Sequence, residues 1–518
     1  STGQRQVLTF QVSPKQNIQQ AQTKAPQEQM KPPQEQTNFN SEQIVVEFDE
    51  YVKFKNLNDE LLISPPMKQE PTTEIRGRKM LIGIRDTLRK NTTYVLNFGN
   101  SIVDLNEGNP YGNFTYVFST GNEVDSLRLH GQVLDAYSLK ADKNILVMLY
   151  ENPYDSIPMK ELPKYVSRTD EHGKFSFSNI REGKYGIVAV EDKNRDYKYN
   201  PVAEKIAFLD GKVHIDGSEL DSLALFLFAE KNLVTYVTEN KAEEGSYQII
   251  FNNPVDSFHL TFLGQTEIPQ HFITKSSMAD SVKIWFPQAD FPLSFQAIVK
   301  NGSTGIDTLT MKIPKLKNDT LLSLNERIPV TQNFFDPLTI NFAAPLVGLN
   351  KKKIELWLSD TIPVEFETDL QENSAKIRIM TKWKEGQRYK LVFLPRAVKD
   401  IFGRTNDSII SNFSTNKAEQ FSSLKVEVQA NTTSPLIMQL LSADGKLVRE
   451  EQVLKKQVVF EHLSAGKYLL KIVFDENNNG KWDTGKYLDK QFPEKAVLFD
   501  GKINLRPKWE QELIWKIK

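Results

Sequence analysis

The side chains best suited to chemistry in this chain are oxygen-bearing residues that alternate along a short loop. They are Asp475, Asn477, Asn479 and Asp483. Ca²⁺ takes six to eight hard oxygen ligands, and alternate side chains on a sharply turning loop can supply four of them. Gly480 at the sixth position permits the turn, but the twelfth position is Lys486 rather than a bidentate glutamate. The remaining oxygens would come from backbone, water or a distant carboxylate such as Asp489.

A second loop earlier in the chain repeats the pattern. Its candidate calcium ligands are Asp192, Asn194, Asp196 and Asn200. Tyr197 stands where the glycine should be. The alternative for both loops is a turn whose Asp and Asn side chains accept hydrogen bonds from their own backbone. For this second loop the sequence favours the turn.

The residues needed for other chemistries are missing or scattered. Cysteine is absent, which excludes disulfides, a thiol nucleophile and a zinc–thiolate site. The six histidines are never within four positions of one another, and no nucleophile elbow, phosphate-binding loop or dinucleotide fingerprint is present. The net charge of −1 gives no overall field to attract nucleic acid. These observations predict a protein that is not an enzyme and does not bind nucleic acid.

The elements that carry the loops follow a β-type rhythm. Runs such as 44–48, 94–98 and 114–118 are rich in β-branched and aromatic residues, and clusters of Gly, Asn, Asp and Pro separate such runs every 8–15 residues. No amphipathic helix longer than two turns is evident, so we expect helix to stay below about 10%. No stretch approaches the roughly 20 apolar residues of a membrane-spanning helix. The chain opens at Ser1 without Met, which we interpret as a mature or trimmed product.

Two internal repeats define the expected domains. Residues 37–121 resemble 325–416, and both segments close on a strand that ends in Phe-Ser-Thr. Residues 126–229 resemble 421–518, and in both a Gly-Lys-Tyr run precedes the Asp/Asn loop at the same spacing. The predicted units are a Gln/Pro-rich tether at 1–36 with a first strand at 7–12, then domain A (37–121), domain B (122–229), domain C (230–320), domain A′ (321–417) and domain B′ (418–518).

The repeated motifs also resemble known families. Phe48-Asp-Glu-Tyr-Val, the 91–94 and 102–106 runs, and Phe118-Ser-Thr-Gly make domain A similar to the SbsA-type bacterial Ig-like domain. The 169–177 run leading to Gly183-Lys-Tyr makes domain B similar to carboxypeptidase-regulatory or transthyretin-like domains. The arrangement resembles the Ig-like-domain outer-membrane lipoproteins of Bacteroidota. The resemblance implies an all-β string of Ig-like and transthyretin-like sandwiches on a flexible, lipid-anchored tether.

The resemblance also implies a role. Such a protein would be a non-enzymatic accessory subunit of an outer-membrane complex for barrel assembly or secretion. Its partners would be outer-membrane proteins, and it would face the cell exterior rather than the periplasm. The alternative is a carbohydrate- or peptidoglycan-binding surface module, which needs clustered exposed aromatics, whereas the six tryptophans are spread over three domains. Trp383 and Trp482 lie near turns, where each either marks an interface or closes the end of a sandwich. The third hypothesis is an enzyme with its active site within 230–320. No combination of base, nucleophile and orienting group is visible there.

Overall fold

A computed structural model describes residues 36–151, 154–217, 223–264, 270–287, 293–316, 321–371 and 374–517. Strands make up 50% of it and helix 3%, which confirms the prediction of an all-β, multi-domain β-sandwich protein. The predicted tether up to residue 35 and its strand at 7–12 lie outside the described residues.

Domain A is built from three small sheets around an aromatic core. Its elements are β1 (Gln43–Glu47), β2 (Val52–Phe54), α1 (Leu57–Glu60), β3 (Leu62–Ser64), β4 (Thr72–Arg76), β5 (Lys79–Gly83), β6 (Thr93–Asn97), β7 (Ile102–Asp104) and β8 (Thr115–Ser119). The sheets have the orders β1-β5-β4, β2-β7 and β3-β6-β8. Alternate residues of β1 point inward, as period-two patterning requires, and pack with Phe48 and Phe118.

The last residue of the predicted tether pairs with domain A. Gln36, the last residue of the predicted tether, forms a parallel bridge with Phe118. Its carbonyl oxygen accepts a hydrogen bond from the Ser119 amide at 2.8 Å. The apolar pattern around 44–48 marked the first strong strand, but a single polar residue that pairs with the last strand gives no such signal.

The strands of domain B form one mixed sheet, and strands from both ends of this sheet pack on one hydrophobic core. Its elements are β9 (Leu127–Asp135), β10 (Leu146–Tyr150), α2 (Ile157–Lys160), β11 (Tyr165–Arg168), β12 (Lys174–Ile180), β13 (Gly183–Val190), β14 (Lys205–Phe208), β15 (Val213–Ile215) and β16 (Leu223–Ala229). The strand order is β11-β10-β13-β14-β16-β9-β12, with β15 on β13 and with β9 and β16 parallel. Every residue of β10 is buried, so this sheet is covered on both faces.

In its described residues, domain C is a sandwich of seven strands. Its strands are β17 (Val237–Glu243), β18 (Ser246–Phe251), β19 (Phe258–Leu263), β20 (Phe272–Lys275), β21 (Ser281–Trp285), β22 (Leu293–Asn301) and β23 (Thr304–Ile313). They form two sheets, β17-β18-β21-β20 and β19-β22-β23, that enclose Ile249, Ile284 and Val299. An exposed linker that includes Leu233 and Val234 joins this domain to β16.

Domain A′ repeats the organisation of domain A. Its elements are β24 (Thr331–Gln332), β25 (Leu338–Asn341), β26 (Leu346–Leu349), the 3-10 helix η1 (Lys351–Lys353), β27 (Ile354–Leu358), β28 (Ile362–Pro363), β29 (Glu367–Asp369), β30 (Lys376–Met380), β31 (Arg388–Phe393), β32 (Val398–Asp400) and β33 (Ile409–Thr415). The orders are β24-β33-β31-β27-β28, β25-β30-β29 and β26-β32. β24 runs parallel to the last strand, as Gln36 does in domain A.

Domain B′ repeats domain B strand for strand. Its elements are the 3-10 helix η2 (Ala418–Gln420), β34 (Phe421–Ala430), β35 (Leu436–Ser442), β36 (Leu447–Gln452), β37 (Gln457–Ser464), β38 (Gly466–Phe474), β39 (Ala496–Leu498), β40 (Ile503–Leu505) and β41 (Glu510–Ile517). The sheets are β37-β34-β41 and β36-β35-β38-β39, with β40 on β38. As in domain B, the first and last strands of the repeat are parallel.

Neighbouring domains pack against each other at three junctions. Domain A meets domain B where the Ser64 hydroxyl accepts from the Val166 amide at 3.0 Å. Domain C meets domain A′ through an apolar cluster that includes Trp285 and Phe402. Domain A′ meets domain B′ through Phe335, whose ring stacks at 4.0 Å on the imidazole of His462. A fourth contact, between domains B and B′, joins units that are distant in sequence.

Candidate functional site

The four predicted ligands of the loop 475–483 form hydrogen bonds within the loop. Asp475 is buried, and its two carboxylate oxygens accept from the amides of Asn479 at 2.9 Å and Gly480 at 2.8 Å. The side-chain amides of Asn477, at 2.6 Å, and Asn479 both donate to Oδ2 of Asp483. Two of the side-chain amides therefore converge on Asp483 Oδ2 through their N–H groups, whereas Asp475 binds the backbone of the turn.

A buried glutamate that the sequence reasoning missed holds this loop in place. Glu494 accepts from the amides of Glu476 at 2.8 Å and Asp483 at 2.9 Å. It lies 19 positions after Asp475, beyond the spacing of the recognised motif. Glu494 lies just before β39, in a segment that resembles the end of the earlier loop. That resemblance is the sequence signal that could have identified this residue.

The loop 192–200 has the same construction. Asp192 accepts from the amides of Asp196 at 3.3 Å and Tyr197 at 3.0 Å. The side-chain amides of Asn194, at 3.0 Å, and Asn200, at 3.5 Å, donate to Oδ2 of Asp196. Glu204 takes the place of Glu494 and accepts from the amides of Lys193 at 3.0 Å and of Asn200 at 2.9 Å.

The tyrosine at the glycine position does not prevent the turn. Tyr197 has a φ of 59°, and Gly480 has a φ of 79° at the matching position. The preceding residues also match, with φ of 61° at Arg195 and 59° at Asn478. A side chain in this left-handed region is strained, so the first loop adopts the turn at a cost that the glycine of the second loop avoids.

Burial of the carboxylates is uneven. Desolvation raises the pKa of Asp192 and that of Glu494 above their ordinary values, although backbone amides that donate to them act in the opposite direction. A cation beside either group would offset this desolvation.

Among the described residues, no three His, Cys, Asp or Glu side chains lie together as a metal-binding group. A calcium ion in these loops would therefore depend on amide and backbone oxygens as well as carboxylates.

The two loops differ in length, and the difference creates an interdomain contact. The connection from β13 to β14 spans residues 191–204, whereas that from β38 to β39 spans 475–495 and is seven residues longer. The Glu494 amide donates to the Asp483 carbonyl at 3.0 Å and closes the base of the additional segment. We call residues 484–492 the docking arm.

Aromatic side chains of the docking arm pack on domain B. Tyr487 is 3% exposed, and its ring lies 5.2 Å from that of Phe208 and 5.9 Å from that of Tyr199. Phe492 stacks on Phe208 at 4.6 Å. Tyr199 belongs to the 192–204 connection, so both Asp/Asn loops lie beside the same contact.

Backbone-directed hydrogen bonds fix the position of the arm. The Thr484 hydroxyl donates to the Ala229 carbonyl at 2.6 Å, and the Tyr487 amide donates to the Glu230 carboxylate at 2.6 Å. At the tip, Lys490 forms an ion pair with Asp155 at 3.2 Å. Because these bonds specify one register of the arm, domain B′ is fixed against domain B at a defined position.

A buried lysine lies at the centre of the same contact. Lys471 on β38 is 2% exposed, and its ammonium group lies 3.2 Å from the ring centroid of Tyr137 in domain B. It also donates to the Tyr137 carbonyl at 3.2 Å. Desolvation lowers the pKa of Lys471 to about 8, while Asp135 and Glu450 act to raise it.

The two tryptophans near turns have different environments. Trp383 is buried in the core of domain A′ and donates to the Asp336 carbonyl at 3.0 Å. Trp482 packs at 5.0 Å from the Tyr137 ring, so it belongs to the contact between domains B and B′. Both tryptophans therefore pack within the chain, Trp383 in a domain core and Trp482 between two domains, and a partner interface at either residue stays a prediction.

Comparisons with known proteins identify one part of the chain. The family model described as a bacterial Ig-like domain matches residues 22–120, which begins within the predicted tether. Comparison with curated proteins gives no match. No helix in the described ranges is long and apolar enough to cross a membrane.

Comparison with solved structures gives matches at low identity, of which three are reported. BcpA, the major pilin subunit of Bacillus cereus, is 10% identical, with 75% of this chain and 99% of the pilin covered and a TM-score of 0.14. The Bacillus anthracis TIE protein is 11% identical, with 94% and 73% covered and a TM-score of 0.16. Domains 1–6 of the surface-layer protein SbsC are 11% identical, with 91% and 67% covered and a TM-score of 0.14. These TM-scores are too low to support an inference, so the family match alone places this part of the chain: residues 22–120 contain a bacterial Ig-like domain.

Proposed function

We propose that this protein is a non-enzymatic structural and interaction protein of a bacterial cell envelope. The observation that supports this most strongly is the contact between domains B and B′. Together with the junctions from C to A′ and from A′ to B′, it links four domains into a closed circuit. A circuit of sandwiches fixes the relative positions of loops on different domains, which is the property that a scaffold for other proteins requires.

The proposal extends to the setting of the protein. Its resemblance to Ig-like-domain lipoproteins supports a lipid-anchored protein of the outer membrane, on the extracellular face. In that setting it would serve as an accessory subunit of a barrel-assembly or secretion complex. Its partners would be outer-membrane proteins, contacted through loops or through strand addition at a sheet edge.

The proposal includes Ca²⁺ as a structural ligand. The donor set in both loops consists of hard oxygens, which suit this ion. Asp475, Asn477, Asn479 and Asp483 would hold one ion, and Asp192, Asn194, Asp196 and Asn200 a second. A bound ion would neutralise the partly desolvated carboxylates and stabilise the loops that flank the docking arm.

Affinity purification of the full-length protein from membranes tests the proposed role. Wild type and a Tyr487→Ala variant would be purified in parallel after mild solubilisation, with Leu488→Ala as a control because Leu488 is exposed in the same arm. We expect outer-membrane proteins to co-purify with wild type and with the control. Their recovery should fall in the Tyr487 variant, because the circuit opens. Recovery of no envelope protein, or hydrolase turnover that a single carboxylate substitution removes, would contradict the proposal.

A further inference from the structure

A polar cleft on domain B′ lies away from the residues that contact domain B. It has a volume of about 510 Å³ and lies between β40 and the start of β41. Its lining combines one aromatic ring with charged and amide side chains. The lining residues are Lys502, Asn504, Arg506, Trp509, Glu510, Gln511 and Glu512.

The aromatic residue of this cleft is unusually accessible. Trp509 is 46% exposed, whereas Trp285, Trp383 and Trp515 are all below 9%. The other two tryptophans, Trp357 and Trp482, are half-buried. Tryptophan is usually highly buried, so a ring with this exposure beside a cleft offers accessible apolar surface in addition to the part that contacts Arg506.

The turn that carries Trp509 is held rigidly. The Trp509 amide donates to the Arg506 carbonyl at 3.1 Å, and the Trp509 carbonyl accepts from the Ser423 amide at 2.9 Å. The Lys508 amide donates to the Phe421 carbonyl at 2.8 Å. The Arg506 guanidinium lies 5.0 Å from the indole centroid. Because the backbone of this turn is already fixed, a ligand would not have to order it on binding.

The charges in the cleft balance. Lys502 and Arg506 oppose Glu510 and Glu512, and two amide side chains contribute both donors and acceptors. Glu512 is also paired with Lys425 at 2.9 Å. A strongly charged ligand would meet a repelling group on one side of the cleft, whereas a neutral ligand rich in hydroxyl groups could use both kinds.

The corresponding region of domain B is different. There β14 pairs with β16 and joins the two sheets, with Ile206 opposite Phe228. In domain B′, within the part of the chain that the structure describes, β41 pairs with β34 and with no strand of the other sheet. The segment 216–222, between β15 and β16, contains no tryptophan. The exposed aromatic ring is therefore a feature of domain B′ and has no counterpart in domain B.

We infer that this cleft binds a neutral saccharide. One face of a pyranose ring is lined by C–H groups and can stack on Trp509, while hydroxyl groups around its rim both donate and accept hydrogen bonds. Carboxylates at 510 and 512 accept from these hydroxyls, and Arg506 and Asn504 donate to them. This inference uses residues remote from the docking arm and does not depend on the proposed scaffold role.

Titration with neutral oligosaccharides tests the inference. Cellohexaose, maltohexaose and chitohexaose would be titrated into the full-length protein, with tryptophan fluorescence and calorimetry as readouts. At least one should bind saturably with an affinity insensitive to salt, because no net charge is exchanged. Trp509→Ala should weaken binding by at least about tenfold. Trp357→Phe, at a half-buried tryptophan of domain A′, should leave binding unchanged.

Melting curves of each variant separate loss of the site from loss of the fold. Trp509 is exposed, so its replacement should leave the melting temperature near that of wild type. The inference fails if none of the three saccharides binds, or if Trp509→Ala binds as well as wild type. Binding restricted to anionic polysaccharides and abolished by salt would also overturn it, as would binding restricted to an extended peptide.

Discussion

Domains B and B′ share eight corresponding strands and a common loop construction, yet they differ at two places. The connection after β38 is seven residues longer than its counterpart after β13, and the additional residues form the docking arm. In the described part of B′, β39 and β41 do not pair with each other, whereas the corresponding strands of domain B, β14 and β16, are paired. Domain B therefore provides the surface for docking, and domain B′ provides the arm that packs on it.

This difference explains how a string of domains becomes a circuit. A sandwich needs only its inner faces to fold, so the outer face of the β10–β13–β14 sheet is free to receive another unit. Phe208 on that face contacts the arm through Tyr487 and Phe492. The Asp/Asn loop at the base of the arm has a similar form in both repeats, so the arm extends from a loop that domain B also contains.

The largest effect is expected from removal of the arm's aromatic side chains. The double variant Tyr487→Ala, Phe492→Ala should release domain B′ from domain B, because a buried aromatic replaced by alanine costs about 3–5 kcal/mol. Small-angle scattering should show a larger radius of gyration. Leu488→Ala, which is 49% exposed in the same arm, should leave the radius unchanged. An unchanged radius in the double variant would show that the arm does not hold the circuit closed.

The next effect concerns pH and Lys471. Its pKa is about 8 when buried and 10.5 ordinarily, so the closed state prefers the neutral amine. The free energy of unfolding should therefore rise with pH between 8 and about 10, by up to about 3 kcal/mol. Below pH 8 the cost of burying the charged ammonium group should be fully present. The groups that face Lys471 are Tyr137, Asp135 and Glu450.

Denaturant unfolding of wild type and Lys471→Met across this window measures the effect. The methionine variant should lose the rise while keeping the other pH dependences. Burial also raises the pKa values of Tyr137 and Tyr487. These tyrosines would lower the stability of the closed state only near pH 10, where tyrosine begins to ionise in the opened state. A rise of equal size in both proteins would assign it to another group.

A somewhat smaller effect is expected from Ca²⁺. If the ion binds only the folded state, a hundredfold excess over Kd adds about 2.7 kcal/mol. The double variant Asp475→Ala, Asp483→Ala should lose that gain, and Asp192→Ala should lose less, because Tyr197 replaces glycine in its loop. Thermal melts with chelator, Ca²⁺, Mg²⁺ and high salt separate binding from relief of charge repulsion. Equal melting temperatures with chelator and Ca²⁺ would leave both loops as turns.

The smallest effect is expected at Gly485. A Cβ there would lie 2.7 Å from the Gln491 carbonyl oxygen and 2.8 Å from the Phe228 ring, so Gly485→Ala should cost about 1–3 kcal/mol. Gly305→Ala on β23 is the matched control, because its nearest neighbour would be 3.8 Å away. Chemical denaturation of both variants gives the comparison. Equal stabilities would mean that the arm approaches domain B less closely than described.

The sequence predicted the all-β fold and both repeats because strand periodicity and turn residues are local signals. It did not predict the docked pair. The apolar run at 206–209 has no alternation, which indicates burial on both faces but not by which partner. Lys471 lies within such a run and reads as an interruption, and Glu494 lies outside the spacing of its loop. The exposure of Trp509 depends on how the turn before β41 packs, which no local pattern reveals.

The most direct test of the closed circuit is a distance between domains B and B′. Because the chain contains no cysteine, Asp155→Cys and Lys490→Cys place two unique thiols at positions now joined by an ion pair of 3.2 Å. A short bis-maleimide should cross-link them within one chain and give a band of altered mobility on a denaturing gel. Asp155→Cys with Lys508→Cys, which is paired with Glu419 beside β34, should not react in this way. Efficient cross-linking of the first pair alone is the predicted result, and equal cross-linking of both pairs, or of neither, would contradict the account.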